Sequence, residues 1–219
     1  MLTPYVTLNS RPEFRRNKTG FGYMVFDIAR AVGKTEQVDV LVSDSKGAAF
    51  DIGGVHFLKR SIGLFLVNVF HCLSPIVLWR LWRQYKMSKG TLVRLVYYWF
   101  ASGYYRKTIK SGYYDIVHIH GCGFSTELWM LVCKQCHQVF VVTLHGLNSF
   151  SDTVKLEAAG KQYERDFLKR AVDGEFPITV ISTGMKRIIE QTYNREDCNN
   201  ITVVCNSFSF NDINDDIGR

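Results

Sequence analysis

The sequence predicts an α/β fold, a parallel β-sheet with helices on both of its faces. Three observations predict it. Short β-branched runs alternate with longer segments of helical period, the pattern of strands joined by crossover helices. The runs close on glycine or polar residues, as strands do where such a sheet meets a ligand. A chain of 219 residues at 47% hydrophobic content buries one sizeable core and leaves little for a second.

Seven strands are expected. The first covers residues 5–9 and is followed by a loop containing Gly20-Phe-Gly22 and an amphipathic helix over 23–32. Strands over 37–42 and 55–58 come next, the second preceded by Asp51-Ile-Gly-Gly54, which reads as a tight turn; the two either form a hairpin or lie further apart. Strands over 114–121, 138–146, 177–182 and 200–205 complete the set. Helices are expected over 125–136, 152–172 and 184–192. The strand ends then present Asn9, His120-Gly121, His145-Gly146, Ser182-Thr183 and Asn206 along one edge.

The net charge of +7 is unevenly placed. Ten of the 27 basic residues and none of the 20 acidic ones fall between Asp51 and Asp115, which leaves 17 basic against 20 acidic elsewhere. Within this window, Ile62 to Trp79 is apolar for nearly the length of a bilayer, but Asn68, His71 and Pro75 interrupt it. Arg80, Trp82, Arg83, Tyr85, Lys86 and Lys89 follow. Cations mixed with interfacial aromatics suit a helix lying on an anionic bilayer; the other reading packs the apolar part on the sheet with the cations snorkelling into water. The apolar content is too high for a groove that tracks single-stranded nucleic acid.

Six cysteines lie scattered in apolar contexts and read as reduced thiols. Cys133-x-x-Cys136-His137 lacks the second ligand pair of a zinc site, so no metal is expected. The first ten residues lack the basic and apolar regions of a signal peptide, and a cytoplasmic protein is expected.

Gly20-x-Gly22 stands where a doubly wound fold lets backbone amides approach phosphate, and Lys18 is near; a plain turn is the alternative. The third glycine of a dinucleotide fingerprint and the ending of a P-loop are both missing. His118 and His120, two apart on one strand, share a face, either as buried hydrogen-bonded imidazoles or as a metal pair. His145 ends an apolar run at the sheet's lip, where an imidazole orients a substrate hydroxyl or stabilises developing charge.

In series, the glycine loop with Gly20 and Gly22, Tyr114-Asp-Ile-Val-His-Ile-His-Gly121, Val141-Val-Thr-Leu-His-Gly146, Ile178-Thr-Val-Ile-Ser182 and Ile201-Thr-Val-Val-Cys-Asn206 resemble glycosyltransferase family 4. That family consists of retaining enzymes of GT-B architecture, in which two Rossmann-like domains face one another. The resemblance spans roughly residues 5–208 and implies the N-terminal, acceptor-side domain, with 52–114 as a basic and apolar insertion, 209–219 as a polar tail or the start of a linker, and the donor-binding domain absent. It implies that His145 faces the interdomain cleft as the catalytic candidate. Gly20 and Gly22 fall on the loop near the donor phosphates, and Asn206 falls at the crossing to the second domain, where Ser207 replaces the family's glycine. Lys18, His120, Gly121, Gly146, Asn148 and Ser182 complete the candidate substrate- and phosphate-binding set.

The resemblance further implies a nucleotide-sugar donor as substrate, no cofactor or metal, and a lipid-linked or surface-polysaccharide acceptor at the inner membrane face. No nucleic-acid partner is expected. The rival expectation is a scaffold that catalyses nothing and docks on a membrane or on a separate donor-binding subunit.

Overall fold

The computed structural model describes residues 1–5, 20–42, 49–58, 62–85, 91–151 and 157–205. Its strands are β1 (Leu2–Tyr5), β2 (Val38–Val42), β3 (Phe50–Ile52), β4 (Val55–Leu58), β5 (Val117–His120), β6 (Phe140–Leu144), β7 (Ile178–Val180) and β8 (Ile201–Val203). They form one sheet in the order β3-β4-β2-β1-β5-β6-β7-β8, in which β3 alone is antiparallel to its neighbour. The fold is therefore α/β and Rossmann-like, with seven parallel strands and helices on both faces.

The expected alternation of strand and helix holds, with four differences. The first strand lies at Leu2–Tyr5, and residues 6–9 lie outside the described residues. The strands over 38–42 and 55–58 are parallel neighbours rather than a hairpin; the hairpin is β3–β4. Strand β3 is the eighth strand, and it was hidden because a three-residue run containing Asp51 carries no β-branched pattern. Its turn is Gly53-Gly54 with φ of 58° and 82°, the left-handed pair that a tight two-residue hairpin requires.

Helix α1 (Gly20–Val32) takes in Gly20 and Gly22 as its first turn, so neither sits in a loop ahead of it. Helix propensity is a weak prior. Here Val25, Phe26 and Ala29 bury against Val38, Val40, Val55 and Phe57, and that packing outweighs the glycines' preference. The other helices are α2 (Ile62–Val67), α3 (Pro75–Tyr85), α4 (Thr91–Gly112), α5 (Phe124–Gln135), α6 (Ala158–Val172) and α7 (Thr183–Tyr193). Most of the core lies on their side: Leu78, Leu81, Tyr105, Leu128, Trp129, Phe167, Leu168 and Ile189 join β-strand residues in one buried cluster.

The apolar stretch 62–79 is not one helix. It breaks into α2, a 3₁₀ turn at Val69–His71 and the start of α3 at Pro75. Proline fits the first helical position because the N–H it lacks would have had no partner there. The irregular backbone between the helices is stitched to α4. Ser102 Oγ accepts from the Leu73 amide at 3.0 Å, Trp99 Nε1 donates to the Leu73 carbonyl at 2.8 Å, and Arg106 donates to the His71 carbonyl at 3.0 Å. Buried backbone groups need such partners, and α4 supplies them. Among the described residues no helix is long and apolar enough to cross a membrane.

Gly103 lets the two segments touch: a Cβ there would stand 2.4 Å from the Asn68 carbonyl oxygen and 2.8 Å from Cys72 Sγ. Because Asn68 belongs to stitched backbone it yields little, so Gly103→Ala is expected to cost about 1–3 kcal/mol. Urea denaturation of the variant tests this, and an unchanged midpoint would mean that the excursion moves freely on α4.

Candidate functional site

The site begins where backbone pairing between β1 and β5 stops. Strand β1 pairs with β2 at Leu2, Thr3, Pro4 and Tyr5, but with β5 at Leu2↔Val117 alone. Pro4 has no N–H to offer a neighbouring strand, an unusual residue so near the centre of a sheet. Strand order also reverses here, since β2 lies on one side of β1 and the later strands on the other. A cavity of about 470 Å³ opens at this switch point, lined by Pro4, by His120 to Gly123, by Ser125, Thr126 and Trp129 of α5, by Leu144 to Gly146, and by Asn148 and Glu164.

Gly121 turns the chain from β5 into α5. Its φ of 81° is left-handed, its amide donates to the Thr143 carbonyl at 2.8 Å, and its carbonyl accepts from Thr126 Oγ1 at 3.1 Å. Helix α5 opens at the cavity wall, and no side chain caps its first amides. Across the cavity, the 3₁₀ turn Asn148–Phe150 is held by the Glu164 carboxylate, which accepts from the Asn148 amide at 3.2 Å and from the Ser149 amide. Glu164 is 4% exposed and is fixed by α6, so the loop bearing Gly146 and Asn148 hangs from a buried acid.

His145 and His120 meet at the cavity floor. His120 Nδ1 lies 3.0 Å from His145 Nε2 in hydrogen-bonding contact, and the rings stack at 5.2 Å. One proton lies between these nitrogens, so the tautomer of one ring sets that of the other. His118 sits on the same face as His120, with ring centroids 4.1 Å apart, and its Nε2 bonds Thr143 Oγ1 at 2.5 Å; Thr143 in turn bonds Thr179 Oγ1. The result is a polar stripe across β5, β6 and β7.

Burial makes these imidazoles poor bases. It pushes His118 down to about 4, with the charge of His145 adding to the effect. It pushes His120 well down, with His118 and His145 contributing, and it lowers His145. All three are neutral near pH 7, so each offers one N–H and one lone pair rather than a standing cation. The cavity lining contains no lysine or arginine among the described residues, and its one acid is Glu164.

Of the site residues expected from sequence, His120, Gly121, His145, Gly146 and Asn148 come together at this cavity. Ser182 is placed otherwise: its Oγ accepts from the Met185 amide at 3.2 Å and caps α7. Gly20 and Gly22 lie in the first turn of α1, and the cavity lining does not include them. Lys18 and Asn206 lie outside the described residues. Among the described residues no group of three His, Cys, Asp or Glu side chains could hold a metal ion.

Sequence reasoning missed Pro4, Ser125, Thr126, Trp129 and Glu164. For Glu164 a signal existed: it stands three, four and seven residues before Phe167, Leu168 and Ala171, which is the spacing of one helical face.

No family model matches this sequence, and no curated protein does. Among solved structures, one of trehalose-6-phosphate synthase from E. coli, bound with UDP-2-fluoro glucose, aligns with 86% of this chain at 11% identity and a TM-score of 0.37. The chain covers 42% of the length of that structure.

The buried histidines make a pH signature. With folded values below the ordinary 6.5, their contribution is complete above about pH 6.5 and is lost as the unfolded chain takes up protons that the folded one refuses. For His118 the loss between pH 6.5 and 4 is on the order of 3 kcal/mol. His118→Gln, which keeps a partner for Thr143, is expected to flatten the fall in urea midpoint over that range; an equally steep fall would show that other groups carry it.

Proposed function

We propose that the chain is the acceptor-side half of a GT-B glycosyltransferase of family-4 type. It would move a sugar from a nucleotide diphosphate to an acceptor hydroxyl, with retention of configuration. The observation supporting this reading most is the chemistry of the switch-point cavity. Its polar groups are neutral imidazoles, the hydroxyls of Ser125 and Thr126, the Asn148 amide and a carboxylate, set beside the Trp129 indole. Such groups bind a polyhydroxylated ligand, whose hydroxyls both donate and accept.

A diphosphate asks for something else. It is held by cations and by convergent backbone amides, and of these the cavity supplies only the open start of α5. The donor's charge would therefore be gripped from across a cleft by a second domain, and this chain alone would transfer little or nothing. Lys18, Gly20, Gly22, Ser182 and Asn206 stay in this proposal as contacts that form around the donor or at the crossing between domains.

In this reading His145 stands beside the reacting centre. A neutral imidazole at that lip accepts the proton of an attacking hydroxyl or donates to an oxygen gaining charge. His120, bonded to it at 3.0 Å, keeps the ring in one orientation. The acceptor is a lipid-linked or surface-polysaccharide precursor, met at the inner face of the membrane.

Gly146 separates binding from stability. A Cβ at this position would meet nothing nearer than Asn148 Oδ1 at 3.9 Å, so the protein's own packing does not require a glycine. Gly146→Ala is expected to leave the thermal midpoint unchanged and to raise KM for the acceptor. His145→Ala is expected to lower turnover about 10²- to 10⁴-fold. The assay is release of nucleoside diphosphate from a panel of nucleotide sugars, with the donor half present and membrane lipid extract as acceptor. Undiminished transfer by the His145 variant would remove that residue from the site.

A further inference from the structure

Between β4 and β5 the chain makes its basic excursion through α2, the 3₁₀ turn, α3 and α4, and one side of that excursion has no folding role. Helix α3 has two apolar faces. Leu78 and Leu81 are buried, whereas Ile76 is 63% and Trp79 50% exposed. Ile76, Trp79 and Arg83 are spaced three and seven residues apart and make one outward stripe, with the Arg83 guanidinium 4.9 Å from the Trp79 ring. On the segment before it, Leu66 is 57%, Val67 77% and Phe70 95% exposed. Both segments pack on α4, so these residues project from one substructure.

We infer that this apolar surface, with the exposed guanidiniums of Arg80 and Arg83, docks on an anionic lipid bilayer. Charge chooses the occupant. From 52 to 114 there are ten basic residues and no acidic one. A second copy would bring like charge against like charge, which opposes association through this face. An anionic surface takes the cations at the headgroups and the apolar side chains just beneath them, and an indole paired with a guanidinium is at home at that depth.

The surface also adjoins the site. Trp82 and Tyr98 pack on Phe124 with ring centroids 6.2 and 4.7 Å apart. Phe124 opens α5, whose Ser125, Thr126 and Trp129 line the cavity. Docking would therefore bring the cavity wall close to the headgroups, where a lipid-linked hydroxyl is found. This last step rests on the glycosyltransferase reading; the docking does not.

Sedimentation of the full chain with phosphatidylcholine vesicles, with and without roughly 30% phosphatidylglycerol, tests the inference. Binding is expected only to the anionic vesicles, with about a tenfold loss on raising salt to roughly 0.5 M. Phe70→Ser and Trp79→Ser should each weaken it about tenfold, and the Arg80→Gln, Arg83→Gln double variant by more than about fivefold. Phe70 is nearly all in water, so its replacement leaves the core intact, and an unchanged circular dichroism spectrum verifies that. No binding to anionic vesicles, or binding indifferent to Phe70 and Trp79, overturns the inference. A dimer that Phe70→Ser dissociates, without vesicle affinity, assigns the face to a second copy instead. Vesicle binding with no sugar transfer even when the donor half is present leaves the docking standing and counts against the enzymatic reading alone.

Discussion

At the centre of the sheet β1 is bound to β2 along its whole length but to β5 only through Leu2. That one-sided pairing, with strand order reversing about β1, marks the place where the candidate site forms. Parallel strands all leave the sheet at the same edge, so the residues after β5 and after β6 are delivered to one lip, where Pro4 also lines the cavity. The crossovers then fix which helix forms the wall. Helix α5 starts at Phe124, three residues after Gly121, and α6 supplies Glu164, and the partly buried Glu127–Arg170 ion pair, with Tyr163 Oη donating to Glu127 at 2.8 Å, locks the two helices together.

Neutrality is the second organising property. Three imidazoles crowded within one polar stripe would repel if charged, and burial favours the uncharged form of each. His118 bonds the Thr143 hydroxyl, and His120 and His145 bond one another. The fold thus holds a set of directional donors and acceptors at the cavity and inside the sheet without placing imidazolium charge there. Its net positive charge lies instead on the excursion between β4 and β5.

Much of this was legible in the sequence. Six of the seven expected strands correspond to strands in the sheet, because a β-branched run bounded by turn residues reports burial directly, and the first meets β1 at Tyr5 alone. The histidines at 120 and 145 were legible as lip residues because a strand's last residue has little freedom in where it ends. Other features were not. The break at 68–74 depends on Ser102, Trp99 and Arg106, some thirty residues downstream, and no local pattern reports a long-range hydrogen bond. Pro4 fell one residue before the expected first strand over 5–9, and a proline is an uncommon residue in a central strand. Glu164 was lost among the charges of its helix, although its spacing to Phe167 and Leu168 marked the inward face.

Gly146 lines a 470 Å³ cavity, yet the described residues around it leave room for a methyl group. Added carbons there take space from the ligand and none from the core. An alanine at this single position can therefore narrow the cavity while the fold stays fixed, which makes the lip of β6 a place where the cavity's shape can change without the core having to be restabilised.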